Sequence, residues 1–201
     1  MSIDNVLESN PFKKSVYAKI GNPVAKDIYT SVGYALTQWE LSEASLGSLF
    51  TAFVKPTGGN HLAYRAFGAV LVSGSRREMI LEAAEVYFTF FSNEALLKRI
   101  DKLMDIYSDA SRRRDEIAHG VVMSEPLMPD RPPVYFLIPS FYASRKLDVL
   151  PPFRSKYRFS SKELDHYAKC FGELGARAGK LMQDVHTFYQ SLPETLRAQF
   201  P

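Results

Sequence analysis

The chain has 201 residues and carries 25 Lys and Arg against 22 Asp and Glu, a net charge of +3. That length fits one domain and buries roughly 70% of its unfolded surface, enough for a core without staples, and a mix of 46% hydrophobic and 23% charged residues excludes disordered and collagen-like classes. The single cysteine, Cys170, excludes an internal disulfide and any four-cysteine metal site, and no apolar run approaches the ~20 residues that span a bilayer.

Residues 1–26 contain Pro11 and Gly21-Asn22-Pro23 without firm periodicity, and read as an arm leading into a turn. The chain start lacks the basic-then-apolar order of a signal peptide, so the expectation is a soluble, cytoplasmic protein with no membrane partner. Residues 27–201 read as one helical domain. From Ile28 to Phe53 the residues Val32, Leu36, Trp39, Leu46, Leu49 and Phe53 recur at helical spacing, and Lys55-Pro56-Thr57-Gly58-Gly59 ends the helix. A second helical region covers about 61–91, bent around Ser73-Gly74-Ser75. The Ser75–Glu78 spacing of a capping box predicts a helix start there.

A third helix is predicted over about Glu94–Val121, with Leu96, Ile100, Leu103, Tyr107, Ala110, Ile117 and Val121 as its apolar stripe. Residues 124–159 hold seven of the twelve prolines, which excludes a continuous helix. Within this insertion Val134–Ile138 and Lys156–Phe159 are predicted as two short strands of a hairpin. A last helix starts at Ser160 or Ser161, with Glu163 in capping-box position, and runs to about Ser191. The fold class read from these elements is mainly α: a helical bundle with a proline-rich, β-hairpin-like insertion.

The charge is segregated. Between Arg131 and Lys162 seven cations (Arg131, Arg145, Lys146, Arg154, Lys156, Arg158, Lys162) face one anion, Asp148, leaving the rest of the chain at −3. Aromatics alternate with these cations, the composition of a single-strand RNA groove. The same composition also fits aromatics that pack the hairpin onto the bundle beneath a solubilising outer face.

Three charges stand on predicted apolar stripes. Glu43, Arg77 and Arg114 would face the interior, where an isolated charge is too costly and must be paired. Glu43 with Arg77 or Arg114 is the expected network, with structural pairing as the role of Glu43 and Arg77. Near Arg114 the chain reads Arg112-Arg-Arg-Asp-Glu-Ile-Ala-His-Gly120. Asp115 and His119 are i,i+4 neighbours on one helix face, so the carboxylate can orient the imidazole. An arginine, an oriented imidazole and a carboxylate suit phosphodiester chemistry: histidine moves a proton near neutral pH, and arginine stabilises developing phosphate charge. His119-Gly120 equally fits a helix C-terminus, where both residue types are favoured.

The string Arg114-Asp115-Glu116-Ile117-Ala118-His119-Gly120 resembles the signature of HEPN domains (higher eukaryotes and prokaryotes nucleotide-binding): an arginine, a polar residue, and a histidine after four to six intervening residues. The helical bundle around it, with Trp39-Glu40-Leu41-Ser42-Glu43 on the first long helix, is similar to that family over most of residues 28–190, the insertion excepted. The resemblance implies a four- or five-helix up-and-down bundle that acts as a homodimer. It further implies metal-independent cleavage of single-stranded RNA, with Arg114 and His119 catalytic and Asp115 positioning them. The departure is Asp115 where asparagine is most often found, which adds a negative charge where phosphate must approach. On this reading Arg113, Lys156, Arg158 and Tyr157 are the candidate substrate-binding residues, and neither a metal nor a cofactor is required. A toxin or antiviral defence context follows, with RNA as substrate and an antitoxin or regulatory protein as a further partner. The alternatives are a non-catalytic module that binds nucleotide, RNA or protein through the same residues, and an interaction domain whose motif ties a dimer together.

Overall fold

A computed structural model describes residues 10–55, 60–125, 132–140, 149–150 and 154–198. The protein is mainly α, with a small antiparallel hairpin. In chain order it forms α1 (Ala25–Val54), α2 (His61–Ala69), α3 (Ser73–Phe90), α4 (Glu94–Ala118), β1 (Gly120–Glu125), β2 (Val134–Pro139), β3 (Val149–Leu150), β4 (Arg154–Ser155), α5 (Ser161–Ser191) and α6 (Glu194–Arg197). Two compact units divide the chain. One comprises Met1–Glu40 and Asp109–Gly172; the other comprises Leu41–Ser108 and Glu173–Pro201.

The first unit is built on aromatic rings. Phe12 is 0% exposed and stacks on Phe171 at 5.3 Å and on Tyr167 at 6.1 Å. Trp39 meets Phe171 edge-on at 5.4 Å, and Phe159 meets Tyr167 at 5.6 Å. Phe12 thus brings part of the N-terminal arm expected over residues 1–26 into this core. Asn10 Nδ2 donates to Asp109 Oδ2 at 2.7 Å. Tyr17 pairs with Arg158 and Asn22 with Tyr135 as isolated β-bridges. Asn22 also exchanges bonds with the Ser161 hydroxyl and backbone N–H. Irregular backbone hides from a periodicity search but satisfies its polar groups all the same.

The hairpin joins β1 to β2 antiparallel, with Gly120 opposite Pro139 and Glu125 opposite Val134. The strand predicted over 134–138 is present. Its partner is the segment directly after α4, and 156–159 meets β2 through the Leu137–Phe159 bridge. The reason lies at the end of α4. Val121 and Val122, β-branched residues that favour strands, pair with Ile138 and Leu137, so the helix stops at Ala118 rather than Val121. Gly120 permits the turn into the strand, because a Cβ there would lie 2.7 Å from Leu137 Cγ and 3.1 Å from the Glu116 carbonyl oxygen. Gly120→Ala should thus cost about 1–3 kcal/mol by overpacking, measured as a lower urea midpoint. An unchanged midpoint would show that Leu137 moves aside freely. Ala18, Phe136 and Ile138 close the hairpin over Val121, Met123 and Val134. Beyond it, β3 and β4 pair over two residues each.

The start of α5 follows the sequence closely. The Ser160 N–H and hydroxyl both donate to Glu163 Oε2, at 2.9 and 2.5 Å, a capping-box arrangement. Asn60 caps α2 through Ala63 N–H at 3.0 Å. The start of α3 departs from expectation. It begins at Ser73 after Val72, which makes no side-chain cap bond, so Ser75 lies inside the helix.

In the second unit the rings of Phe53, Tyr87, Phe91 and Tyr189 follow one another at 5.2–5.9 Å. Glu43, 5% exposed, accepts from Arg76 Nη1 at 2.6 Å and from the Tyr107 hydroxyl at 2.8 Å. The expected partners Arg77 and Arg114 are elsewhere: Arg77 bonds Glu78 and Asp105 at 2.6 and 3.2 Å. Positions 76 and 77 stand four and three residues before Ile80, so helical spacing admits either, and the earlier helix start turns Arg76 inward. Arg76 Nε also donates to the Val70 carbonyl at 2.7 Å, covering an acceptor just past the end of α2. Burial, followed by the Glu43 carboxylate, holds the Tyr107 phenol well above its usual range.

The turn expected at 57–59 lies outside the described residues, as do the side chains of Arg131, Arg145, Lys146, Arg154, Phe141, Tyr142 and Phe153. No helix among the described residues is long and apolar enough to cross a membrane.

Candidate active site

The last two turns of α4 and the first residue beyond it carry Arg113, Arg114, Asp115, Glu116 and His119. Arg114 lies over the Trp39 ring, with the guanidinium carbon 5.4 Å from the ring centroid. Its Nη1 donates to Asp115 Oδ1 at 2.8 Å. The guanidinium itself thus packs on an aromatic face, a cation–π contact, and the side chain is 25% exposed. Arg114 Nε is buried with no acceptor among the described residues. His119 is exposed and tied through its backbone, its N–H donating to the Asp115 carbonyl at 3.0 Å.

Asp115 links the two. It binds the Arg114 guanidinium directly and stands four residues before His119, one helical turn away. The carboxylate is engaged by arginine, whereas the sequence alone pointed it at the imidazole. With one of its five N–H donors on Asp115, the Arg114 guanidinium keeps others for an oxyanion.

Arg113, expected to bind substrate, is buried. Its Nη1 donates to the Ser15 hydroxyl, and its Nη2 lies 3.0 Å from Glu116 Oε1. Ser15 Oγ donates in turn to both Glu116 carboxylate oxygens, at 2.6 and 2.8 Å. The Tyr157 hydroxyl donates to the Glu116 carbonyl at 3.2 Å. This network fixes the helix turn that carries Arg114, Asp115 and His119. The Arg113–Glu116 pair is legible as an i,i+3 spacing. Ser15, about a hundred residues away, left no such signal.

The remaining candidates divide in the same way. Tyr157 is buried and stacks on Phe159 at 5.1 Å. Arg158 is held between the Phe136 ring at 4.0 Å and the Tyr17 ring at 4.5 Å. It also donates to Glu125 Oε2 at 2.5 Å and to the Ala18 carbonyl at 2.8 Å. Both residues fasten the insertion in place. Lys156 and Lys162 are exposed. Packing therefore accounts for Phe136, Tyr157 and Phe159, while the outward cations remain on the surface.

Burial pushes the Tyr167 phenol up to about 12. Burial also raises Tyr87 and Tyr107. A phenol whose folded-state pKa lies above the ordinary ~10 contributes fully below pH ~10 and loses that contribution as pH climbs past it. The melting temperature should therefore hold up to about pH 10 and fall above it. Phenolate absorbance from these three rings should appear only with unfolding; its appearance in the folded protein would contradict their burial.

Among the described residues no three His, Cys, Asp or Glu side chains gather as metal ligands. The chain matches no protein-family model, no curated protein and no solved structure.

Proposed function

We propose that this chain is a HEPN-like, metal-independent endoribonuclease acting on single-stranded RNA, with Arg114 and His119 catalytic and Asp115 positioning them. The observation that carries the reading is the Arg114–Asp115 ion pair at 2.8 Å in the helix turn next to an exposed His119. A cation, the carboxylate that holds it and an exposed imidazole then share one helix end. In the reaction His119 takes the proton from a ribose 2′-hydroxyl, and the 2′-oxygen attacks the adjacent phosphorus. Arg114 stabilises the charge that develops on the phosphoryl oxygens. The P–O5′ bond breaks and the leaving oxygen takes up a proton, giving a cyclic phosphate and a 5′-hydroxyl. Homodimerisation would set two such sites side by side. The same reading carries a cytoplasmic protein in a toxin or antiviral defence system, held in check by an antitoxin or regulatory protein.

The test is cleavage of single-stranded RNA in EDTA by the wild-type chain, Arg114→Ala and His119→Ala. Each variant should lose about 100-fold or more in rate. No cleavage by the wild type, or equal cleavage by all three, would remove the nuclease reading. The engagement of Arg114 by a carboxylate favours one second reading, a module that binds RNA or nucleotide without cutting it. That reading is marked by RNA affinity that falls in Arg114→Ala with no product at any time.

A further inference from the structure

We propose that the N-terminal segment 13–19 forms, together with Lys156 and Lys162, a cationic track that holds single-stranded RNA as it enters the Arg114–His119 site. The proposal rests on the ribonuclease reading above and assigns its substrate path to a segment that the HEPN-like motif does not include.

Residues 10–26 carry Lys13, Lys14, Lys19 and Lys26 and no acidic residue. This +4 stretch and the +6 block of residues 131–162 together leave −7 for the rest of the chain. The two basic stretches also meet in space. Ala18 N–H donates to the Arg158 carbonyl at 2.7 Å, and Arg158 N–H donates to the Val16 carbonyl at 3.1 Å. Lys13, Lys14 and Lys19 are exposed, as are Lys156 and Lys162.

The same segment is anchored at the site itself. Ser15 binds Glu116 at 2.6 and 2.8 Å, two residues beyond Arg114 and three before His119, or roughly 4.5 Å along the helix axis from the histidine. One short stretch of chain thus runs from the helix turn of the motif to Arg158, two residues from Lys156, with exposed lysines along it. Tyr17, half exposed, lies with its ring over Arg158 and offers an aromatic surface for base stacking. Cations for phosphates beside an accessible ring describe a single-strand track. A lipid surface has no use for the ring or for a phosphodiester-cutting site at one end.

The experiment measures binding of a fluorescent single-stranded oligonucleotide to the His119→Ala chain across KCl concentrations. A triple variant Lys13→Ala/Lys14→Ala/Lys19→Ala in that background should reduce the slope of log affinity against log salt by about 2, since each phosphate contact contributes about 0.7. Affinity at about 0.1 M salt should fall roughly tenfold. A control with the same charge change, Lys98→Ala/Lys102→Ala/Lys180→Ala, should leave the slope unchanged, and both variants should melt with the parent because all six side chains are exposed. An unchanged slope in the first triple, an equal drop in the control, or a loss confined to anionic vesicles would overturn the track. Cleavage by the wild-type chain is read separately. A chain that binds along this track without cutting loses the nuclease reading alone, and one that cuts with an unchanged slope loses the track alone.

Discussion

Replacing Arg76 by leucine should lower stability by about 3–5 kcal/mol, the cost of breaking a buried ion pair from one side. Glu43 is 5% exposed and has two partners at hydrogen-bond distance, Arg76 and Tyr107. Removal of the guanidinium leaves a buried carboxylate with one neutral donor, and exposes the Val70 carbonyl that Arg76 Nε covers. The double variant Glu43→Leu/Arg76→Leu should recover much of the loss, because two apolar groups replace both charges together. Denaturant titration of the wild type, both single variants and the double variant measures the coupling. Arg77→Leu is the contrast: its partners Glu78 and Asp105 are exposed, and exposed pairs contribute about 0–1 kcal/mol. Equal losses at positions 76 and 77 would contradict the network.

Phe12→Ala should cost a similar amount, about 3–5 kcal/mol, from lost burial and the cavity left behind. The ring is fully enclosed and stacks on Tyr167 and Phe171, so little of its site can collapse. The same change should also loosen the helix turn at the motif, since Phe12 lies three residues before Ser15, which holds Glu116. Hydrogen exchange at the amides of 116–119 should accelerate in Phe12→Ala more than at Tyr87 or Phe88, at equal denaturant. A loss under about 1 kcal/mol would show that residues 10–24 are a detachable arm after all.

The elements that the sequence announced are those whose signals are local. Helical spacing located α1, α4 and α5 to within a few residues, and the Ser160–Glu163 spacing placed the start of α5. Arg114, Asp115 and His119 were legible as a motif because they lie within six residues of one another. What stayed hidden depends on chain that returns from far away. Phe12 is core only because α5 supplies Tyr167 and Phe171, and Ser15 matters only because Glu116 lies across from it. The choice between Arg76 and Arg77 turned on a helix start three residues earlier than the capping box implied. The partner of β2 was misassigned because Val121 extends a helical stripe on paper, yet pairs as strand together with Val122 once Gly120 allows the turn. Asp115 was expected to orient an imidazole and instead engages the neighbouring arginine, an i,i+1 contact that helix-face spacing does not announce.

In the proposed reaction His119 moves a proton during attack by a ribose 2′-hydroxyl. The most direct measurement is the chemistry of the RNA ends that the wild-type chain produces in EDTA from an oligonucleotide, compared with the same oligonucleotide bearing 2′-O-methyl groups. The account predicts a 2′,3′-cyclic phosphate and a 5′-hydroxyl, no cut at methylated positions, and loss of both products in His119→Ala. A 3′-hydroxyl with a 5′-phosphate, or cleavage that survives methylation or the loss of His119, would contradict it.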